Sequence, residues 1–174
     1  MKIESTAFTA AELLGFLGDL EEKDREDVVR RLEEVGRRLE ALRPRLEGAN
    51  APGGAGWTAQ EVLAHISVLS KFYGVMAHQI ATGKVTEFDF LGQVQLRDVA
   101  GERAAAEPAS SLLDGIAADH ARTLAFLRGV DTADLRKAAE TGVEGLRISA
   151  ADVIRLPLLT HLEAHLEQLE AAIR

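Results

Sequence analysis

Three histidines in this chain have the type and spacing of metal ligands: His161 and His165 in THLEAHLEQLE, and His65 at the end of GWTAQEVLAH. An α-helix turns once in 3.6 residues, so side chains four residues apart project from nearly the same side and can reach one ion. Neutral imidazole binds zinc, nickel, copper or iron, and three protein ligands leave coordination positions open for water or substrate. The histidines therefore predict a reactive metal site, although an isolated pair at this spacing is more often two ordinary surface residues.

The surroundings of the pair favour ligation over that simpler interpretation. Helical spacing puts His161 and His165 on one stripe with the apolar residues Ile154, Leu158 and Leu169. A second apolar stripe beside it consists of Leu159, Leu162, Leu166 and Ile173. A buried imidazole without a partner costs about 1–3 kcal/mol, so two in one stripe would be a liability unless something satisfied them. We therefore expect both imidazoles to face the protein interior and to share an ion.

The chain lacks the residues that other metal sites of helical proteins require. A carboxylate-bridged di-iron site needs Glu-x-x-His, and no histidine in the chain has a glutamate three residues before it. Zincin proteases need His-Glu-x-x-His, but Leu162 follows His161, so the glutamate base is missing. The chain contains no cysteine, which excludes disulfides, thiolate ligands and a cysteine nucleophile. Any thiol chemistry must therefore come from a substrate.

Length and composition predict one helical domain without nucleic-acid or membrane partners. The chain has 174 residues, 47% of them hydrophobic and few aromatic, which favours helices throughout and no substantial sheet. A net charge of -8 would repel a phosphate backbone, and no basic stripe is interleaved with aromatic residues. There is no run of eighteen apolar residues and no signal-peptide pattern at the N-terminus. We expect a soluble, cytoplasmic protein.

Amphipathic patterns predict four main helices, over residues 24–46, 59–82, 109–128 and 150–173. The first of them carries an apolar stripe that consists of Val28, Leu32, Val35, Leu39 and Leu42. Two of the helices are joined by a long crossover, so the economical architecture is an all-α four-helix bundle. A short extra helix, opened by Phe8 and Thr9, is expected before it. The predicted division is therefore a helical extension over 1–22, packed on the bundle, and a bundle domain over 23–174.

Local signals indicate where the metal-bearing helices begin. Thr58 and Glu61 form a capping box before the helix of His65, with Trp57 and Val62 at the positions of a hydrophobic staple. Ser149 and Asp152 cap the last helix in the same way, and Pro157 inside that helix predicts a bend one turn before His161. Such a bend would aim the pair at the bundle centre.

Two residues are candidates for a supporting role beside the metal. Glu61 lies one turn before His65 and could orient a metal-bound water, although its capping duty is the favoured explanation. His120 lies on an apolar stripe with Leu113, Ile116, Leu124 and Leu127, and is interpreted first as a satisfied core histidine. The crossover over 84–107 could cover the site, but one or two helical turns near 91–99 in an ordinary crossover are favoured over a mobile lid.

Two motifs carry a family resemblance, Trp57-Thr58-x-x-Glu61-Val62-Leu63-x-His65 and His161-x-x-x-His165-Leu166-x-Gln168. Together they resemble the DinB-like superfamily, also called YfiT-like metal-dependent hydrolases, over most of the chain from about residue 24. The resemblance implies a four-helix bundle of the DinB/YfiT-like type, commonly a homodimer, in which His65, His161 and His165 bind a divalent ion. Zinc and nickel are the first candidates for that ion, and iron and manganese are further ones.

The resemblance also implies a function. Its better-understood relatives are thiol S-transferases that use bacillithiol or mycothiol, and the mycothiol-dependent maleylpyruvate isomerase. We therefore expect a metal-dependent enzyme, most concretely a thiol S-transferase whose partners are a low-molecular-weight thiol and an electrophile. A metal-dependent hydrolase is an alternative. Another is a non-catalytic helical protein with a structural or vestigial metal site, because fold alone does not choose among these.

Proton competition gives a first test of the predicted ligands. Imidazole must be neutral to bind a metal, so we expect the ion to be lost as the pH falls below about 6.5. Equilibrium dialysis of the metal-loaded protein over a pH series measures this loss. Retention of the metal at about pH 4, well below the pKa of imidazole, would indicate ligands other than histidine.

Overall fold

The computed structural model describes residues 10–46, 52–54 and 57–173. Its helices are α1 (Ala10–Leu46), α2 (Ala59–Ala81), α3 (Phe90–Ala104), α4 (Ala109–Gly129), α5 (Thr132–Leu135), α6 (Ala150–Val153), a π-helix (Ile154–Thr160) and α7 (His161–Ala172). Its strands are β1 (Pro52–Gly54), β2 (Trp57–Thr58), β3 (Ala138–Glu140) and β4 (Arg147–Ser149). None of the described helices is both long enough and apolar enough to span a bilayer.

The predicted four-helix bundle is confirmed, with α1, α2, α4 and the segment from α6 to α7 as its long elements. α2 is the central helix, because it packs against α3, α4 and α7. Its residues Val62, Leu63, Ile66 and Leu69 are fully buried. Burying a side chain of this size contributes about 1.5–3 kcal/mol, so this helix anchors the core. The predicted stripe of α1 is also confirmed, since all five of its residues are at most 9% exposed.

The first helix is longer than the sequence pattern predicted. α1 is continuous from Ala10 to Leu46, whereas the pattern indicated a short helix followed by a separate one over 24–46. The intervening residues Leu20-Glu21-Glu22-Lys23 are all good helix formers, so nothing in them ends the helix. The predicted cap at Thr9 lies outside the described residues. The division of the chain between residues 22 and 23 stays a prediction.

The crossover contains more regular structure than predicted. α3 has 15 residues and begins after Asp89, whose side chain accepts a hydrogen bond from the Gly92 amide. This cap explains why the helix forms where only one or two turns were expected. Two short antiparallel pairs, β1 with β2 and β3 with β4, were not predicted. Their strands have only two or three residues each, so the expectation of no substantial sheet is confirmed for the described chain.

The helix that carries the histidine pair begins with an irregular segment. Ser149 and Asp152 form the predicted capping box, and the π-helix with Pro157 follows α6 directly. Proline lacks an amide hydrogen, and a π-helix reaches five residues back instead of four, so the hydrogen-bond ladder changes at this point. The Thr160 hydroxyl supplies an additional bond by donating to the Arg155 carbonyl at 2.8 Å. The wider turn changes the direction in which all later side chains project.

Two bidentate ion pairs hold α7 against α1. Arg31 binds Glu163 with nitrogen–oxygen distances of 2.9 and 2.5 Å, and Arg38 binds Glu170 at 2.9 and 2.8 Å. The planar guanidinium matches the carboxylate in both pairs, which fixes orientation as well as distance. The carboxylates raise the pKa of both arginines through these hydrogen bonds. The two pairs therefore fix the position of α7 along α1. They also fix where the histidine pair lies along the axis of the bundle.

Candidate metal centre

The bundle brings the three predicted histidines into one cluster with a tryptophan. The ring centroids of His65 on α2 and His165 on α7 are 4.7 Å apart, with the rings nearly perpendicular. The ring of His161 lies 5.7 Å from that of His165 and is tilted by 32°. His165 therefore lies at the centre of the group, with the other two imidazoles as its neighbours.

The predicted capping box positions His65. The Thr58 hydroxyl accepts a hydrogen bond from the Glu61 amide at 3.2 Å, and the Glu61 carboxylate accepts one from the Thr58 amide at 2.7 Å. This reciprocal pair starts α2 at Ala59 and so fixes the turn on which His65 stands. The prediction of the cap is confirmed.

Trp57 has ring contacts that the sequence did not indicate. It was expected to act in a hydrophobic staple with Val62, yet it is 40% exposed and its ring packs against two imidazoles. It meets His65 edge to face at 5.0 Å and stacks parallel to His165 at 6.1 Å. Such aromatic contacts contribute about 0.5–1.5 kcal/mol each and restrict ring rotation. Trp57 thus orients two of the three predicted ligands.

Gln168 sets the tautomer of His165. The Nδ1 atom of His165 lies 3.0 Å from the amide oxygen of Gln168. An amide oxygen only accepts, so Nδ1 carries the hydrogen and Nε2 keeps the lone pair that a metal requires. Burial lowers the pKa of His165, the hydrogen bond that the ring donates to Gln168 raises it, and the positive charges of His161 and Arg97 lower it further, so that the net shift is downward. The ring is therefore held in its neutral form.

His161 departs from the prediction in its burial. The pair was expected to face the interior together, but His165 is half-buried and His161 is exposed. The physical reason is the π-helix, because each of its residues turns the chain by less than an α-helical residue does. The stripe projected from Ile154 and Leu158 therefore no longer holds at His161. An exposed imidazole is satisfied by water, so burial does not demand an ion at His161.

The described side chains are near one another without forming a finished coordination shell. Within residues 10–46, 52–54 and 57–173, no three histidine, aspartate or glutamate side chains converge as they stand on one point suited to a metal. His65 and His165 are in ring contact, and His161 is the exposed member of the group. Because that side chain is exposed, its torsions can change without displacing core residues. In chemical type the three imidazoles suit a divalent ion, but in the positions described they do not form a site for one.

A cavity of about 450 Å³ adjoins the cluster on the side of His65. Trp57, Glu61 and His65 form one wall, and the crossover supplies the other through Gly101, Glu102 and Ala105. The crossover is tied down beside it, because the Gln60 side-chain amide donates to the Glu107 carbonyl at 2.5 Å. The segment over 84–107 therefore borders the cavity, and no motif in the sequence marked Glu102 as a wall residue.

Two further polar residues lie near the cluster. Arg97 of α3 donates a hydrogen bond to the Tyr73 hydroxyl at 3.1 Å, and its charge acts on His165. Glu61 faces the cavity, and the hydrogen bonds from the Thr58 amide and hydroxyl lower the pKa of its carboxyl. Glu61 is thus kept ionised by its capping partners. Sequence reasoning missed Arg97, because nothing in the pattern of α3 distinguishes it from a solvated arginine.

His120, the second candidate for a supporting role, lies apart from this cluster. It is 4% exposed, and its Nε2 atom lies 2.9 Å from the Ser70 hydroxyl. It lines a groove between α1 and α4 to which His65, His161 and His165 do not contribute. It is a core histidine, but its Nδ1 atom has no hydrogen-bond partner among the described residues. Burial lowers its pKa to about 4.

This lowered pKa predicts acid sensitivity of the metal-free protein. The unfolded chain takes up the proton near pH 6.5 and the folded chain near pH 4, so stability present above pH 6.5 is lost as the pH falls through that window. Between pH 7 and pH 5 the loss from His120 is about 2 kcal/mol. Urea unfolding at both pH values measures it. A His120→Leu variant should lack this component and His78→Ala should retain it. An unchanged pH dependence in His120→Leu would contradict the assignment.

Comparison with known proteins gives a family and a fold. The family model described as the mycothiol maleylpyruvate isomerase N-terminal domain matches residues 28–169. Among solved structures, the fold is similar to that of YfiT from Bacillus subtilis, described as a probable metal-dependent hydrolase with an unusual four-helix bundle topology. The two share 16% sequence identity with a TM-score of 0.64, over 98% of this chain and 92% of that chain. No curated protein matches the chain.

Proposed function

Because the chain belongs to the family of mycothiol maleylpyruvate isomerase N-terminal domains, within the DinB/YfiT-like group, we propose that it is a divalent-metal-dependent enzyme. Its most concrete activity is transfer of a low-molecular-weight thiol, of the bacillithiol or mycothiol type, to an electrophile. His65, His161 and His165 are the proposed ligands. Zinc or nickel is the proposed ion, with iron or manganese as further candidates.

The observation that carries the proposal is the cluster of imidazoles around His165. Its ring lies 4.7 Å from that of His65 and 5.7 Å from that of His161. A divalent ion bound to such donors lowers the pKa of a thiol or water that it binds. The protein residues hold the donors for this purpose, because Trp57 restricts two rings and Gln168 keeps the Nε2 lone pair of His165 free of a proton.

The cavity beside His65 supports a small-molecule substrate. Its volume of about 450 Å³ lies within the usual range of ligand pockets, about 300–1,000 Å³. The crossover forms the wall of the cavity that faces Trp57, Glu61 and His65. Because the chain has no cysteine, a thiol used in the reaction has to be a substrate. The partners proposed are accordingly a small thiol and an electrophile, with no nucleic acid, and a second copy of the chain in a homodimer.

Two measurements on untagged protein test the proposal. The first is metal analysis, in which we expect about one equivalent of divalent metal per chain on titration. Less than about a tenth of an equivalent, with no uptake, would rule out every metal-dependent version, including a structural site. The second is conjugation of bacillithiol or mycothiol to a chloroarene by the metal-loaded protein, which should be lost in His65→Ala. Hydrolysis of esters or amides without thiol would favour a hydrolase. Metal binding without either activity would favour a non-catalytic site.

The hydrogen bond from His165 to Gln168 makes a separate prediction. Loss of a partner that orients a metal-bound imidazole costs about 10–100-fold in metal affinity. We therefore expect Gln168→Leu to weaken metal binding by about that factor, because the ring loses its acceptor and its preferred tautomer. Competition against a coloured chelator measures the affinity. Glu167→Gln, a change at the exposed neighbour, is the control and should bind as the parent does. Equal affinity in both variants would argue against His165 as a ligand.

A further inference from the structure

Trp57 is a large aromatic side chain that remains 40% exposed at the cavity beside His65. Tryptophan is mostly buried in folded proteins, so an exposed ring in a cavity wall requires an explanation. His165 stacks parallel to the indole at 6.1 Å and can cover only one of its faces, and His65 meets it edge to face. The rest of the indole is apolar, electron-rich surface that a molecule in the cavity can contact.

The opposite wall of the cavity consists of small residues. Gly101 on α3 and Ala105 at its end are four residues apart, so they lie one above the other on the same side of the helix. A methyl group built at the Cβ position of Gly101 would meet no atom within 4 Å. Packing therefore does not require glycine here, although alanine is the better helix former. The missing side chain leaves open space across the cavity from Trp57.

These two walls suit a flat ligand. An aromatic ring can stack on the indole with its other face against Gly101 and Ala105, which have no side chain beyond a methyl group. Aromatic pairs of this kind contribute about 0.5–1.5 kcal/mol beyond the area that they bury. The Gln60 amide holds the crossover in place by its hydrogen bond to the Glu107 carbonyl, so the wall opposite Trp57 is fixed against the start of α2.

The charges in the wall restrict the ligand further. Two carboxylates, Glu61 and Glu102, line the cavity, and no lysine or arginine of the described chain does. The hydrogen bonds from Thr58 lower the pKa of Glu61, so this carboxylate is ionised at pH 7. Both groups repel an anion. Because the face of an indole carries negative charge density, a ring with electron-withdrawing substituents stacks on it most favourably.

We propose that the cavity at Trp57 binds an uncharged, electron-poor aromatic molecule, whose ring lies between the indole and the wall of Gly101 and Ala105. Within the proposed function this molecule is the electrophile, so its role in a reaction rests on that function. Its binding does not, because neither Trp57 nor the crossover supplies a proposed metal ligand. The structure can therefore be tested for this site without metal and without thiol.

Nitrobenzene and nitrocyclohexane are matched probes, because both carry a nitro group that quenches indole fluorescence and only one has a planar aromatic ring. Trp57 is the only tryptophan in the sequence, so the fluorescence reports on this cavity alone. With the metal-free full chain, nitrobenzene should quench saturably, and nitrocyclohexane should bind about fivefold more weakly. Equal binding of the two probes, or quenching by nitrobenzene that does not saturate, would overturn the proposal.

Two glycine variants test the wall opposite Trp57. Gly101→Leu places a side chain in the open space and should weaken nitrobenzene binding about tenfold or more. Gly115→Leu on α4 is the control, because a Cβ atom there would also meet nothing within 4 Å and the residue does not line this cavity. Both variants replace a helical glycine with a better helix former and should fold. Unchanged binding in Gly101→Leu would contradict the placement of the ring.

A charged probe tests the assignment of an uncharged ligand. At low ionic strength, 4-nitrobenzoate should bind about fivefold more weakly than nitrobenzene, and Glu102→Gln should reduce that difference. Equal binding of both compounds to the parent protein would contradict the assignment.

Metal titration separates this inference from the proposed function. A protein that takes up one equivalent of metal but does not bind nitrobenzene saturably would disprove the inference alone. A protein that binds nitrobenzene as described but takes up no metal would disprove the proposed function and leave the aromatic site standing.

Discussion

Replacing His65 with alanine is expected to lower the affinity of the protein for a divalent ion by about 100-fold or more. Removing only a hydrogen-bond partner of a metal ligand already lowers metal affinity about 10–100-fold, and this change removes a ligand itself. His65 is also the single proposed ligand from α2, and its ring lies 4.7 Å from that of His165. Without it, the remaining pair on α7 resembles an ordinary surface pair. Competition titration of untagged protein against a chelator measures the effect.

His78→Ala is the matched control for this experiment. His78 lies on the same helix, is exposed, and packs edge to face against Phe126 at 5.2 Å, away from the cluster. We expect its metal affinity to equal that of the parent protein. Any thiol-conjugating activity should be lost in His65→Ala and kept in His78→Ala. If both variants bind the metal like the parent, His65 is not a ligand and the account of the site on α2 is wrong.

Leu162→Ala is expected to have the largest effect on stability, about 3–5 kcal/mol in the free energy of unfolding. Leu162 is fully buried and lies between the two histidines of α7. Truncation removes apolar contacts and leaves a cavity in a part of the core where α7 packs on α2. Urea unfolding in the presence of a chelator measures the change, since bound metal would add its own contribution.

Leu156→Ala provides the comparison within the same segment. Leu156 is 63% exposed, so its truncation should change the unfolding free energy by less than about 0.5 kcal/mol. The two leucines are six positions apart in a stretch whose helical register is altered by the π-helix. Equal losses in the two variants would mean that the register of α7 differs from the one described.

Local signals made most of the fold predictable. The capping boxes at Thr58 and Ser149 were readable because each depends on residues three apart in the sequence. The apolar stripe of α1 was readable because its period matches the helix. The long α1 was not, since the end of a helix depends on what stops it and the sequence between residues 20 and 24 contains no stop signal.

The candidate site was predictable in its members more than in its geometry. The spacing of His161 and His165 is a local property, and Gln168 stands within the motif quoted with them. The exposure of His161 was not predictable. The π-helix before it rotates the later side chains about the helix axis, and the spacing of the apolar residues in the sequence does not show this rotation. The contacts of Trp57 with two imidazoles, and the approach of Arg97, depend on how α2, α3 and α7 pack and so leave no trace in the local pattern.

The crossover lines the cavity beside His65, which its sequence did not indicate. Its sequence suggested a connection with one or two helical turns, whereas α3 lines the cavity beside His65. Gly101 and Ala105 are small wall residues, so under the proposed function the size of the substrate would depend on the crossover as well as on the helices that carry the imidazoles. The activity assays above should therefore sample thiols of different size.

The central claim is that three imidazoles bind one divalent ion. X-ray absorption at the zinc edge, on untagged protein loaded with one equivalent of zinc, tests it most directly. We predict about three imidazole nitrogens at about 2.0–2.1 Å, with the outer-shell scattering of histidine rings. A water oxygen is expected in the remaining position. His65→Ala should lower the number of imidazoles by one. A spectrum with oxygen donors and no histidine scattering, or a protein that does not take up zinc, would contradict the account.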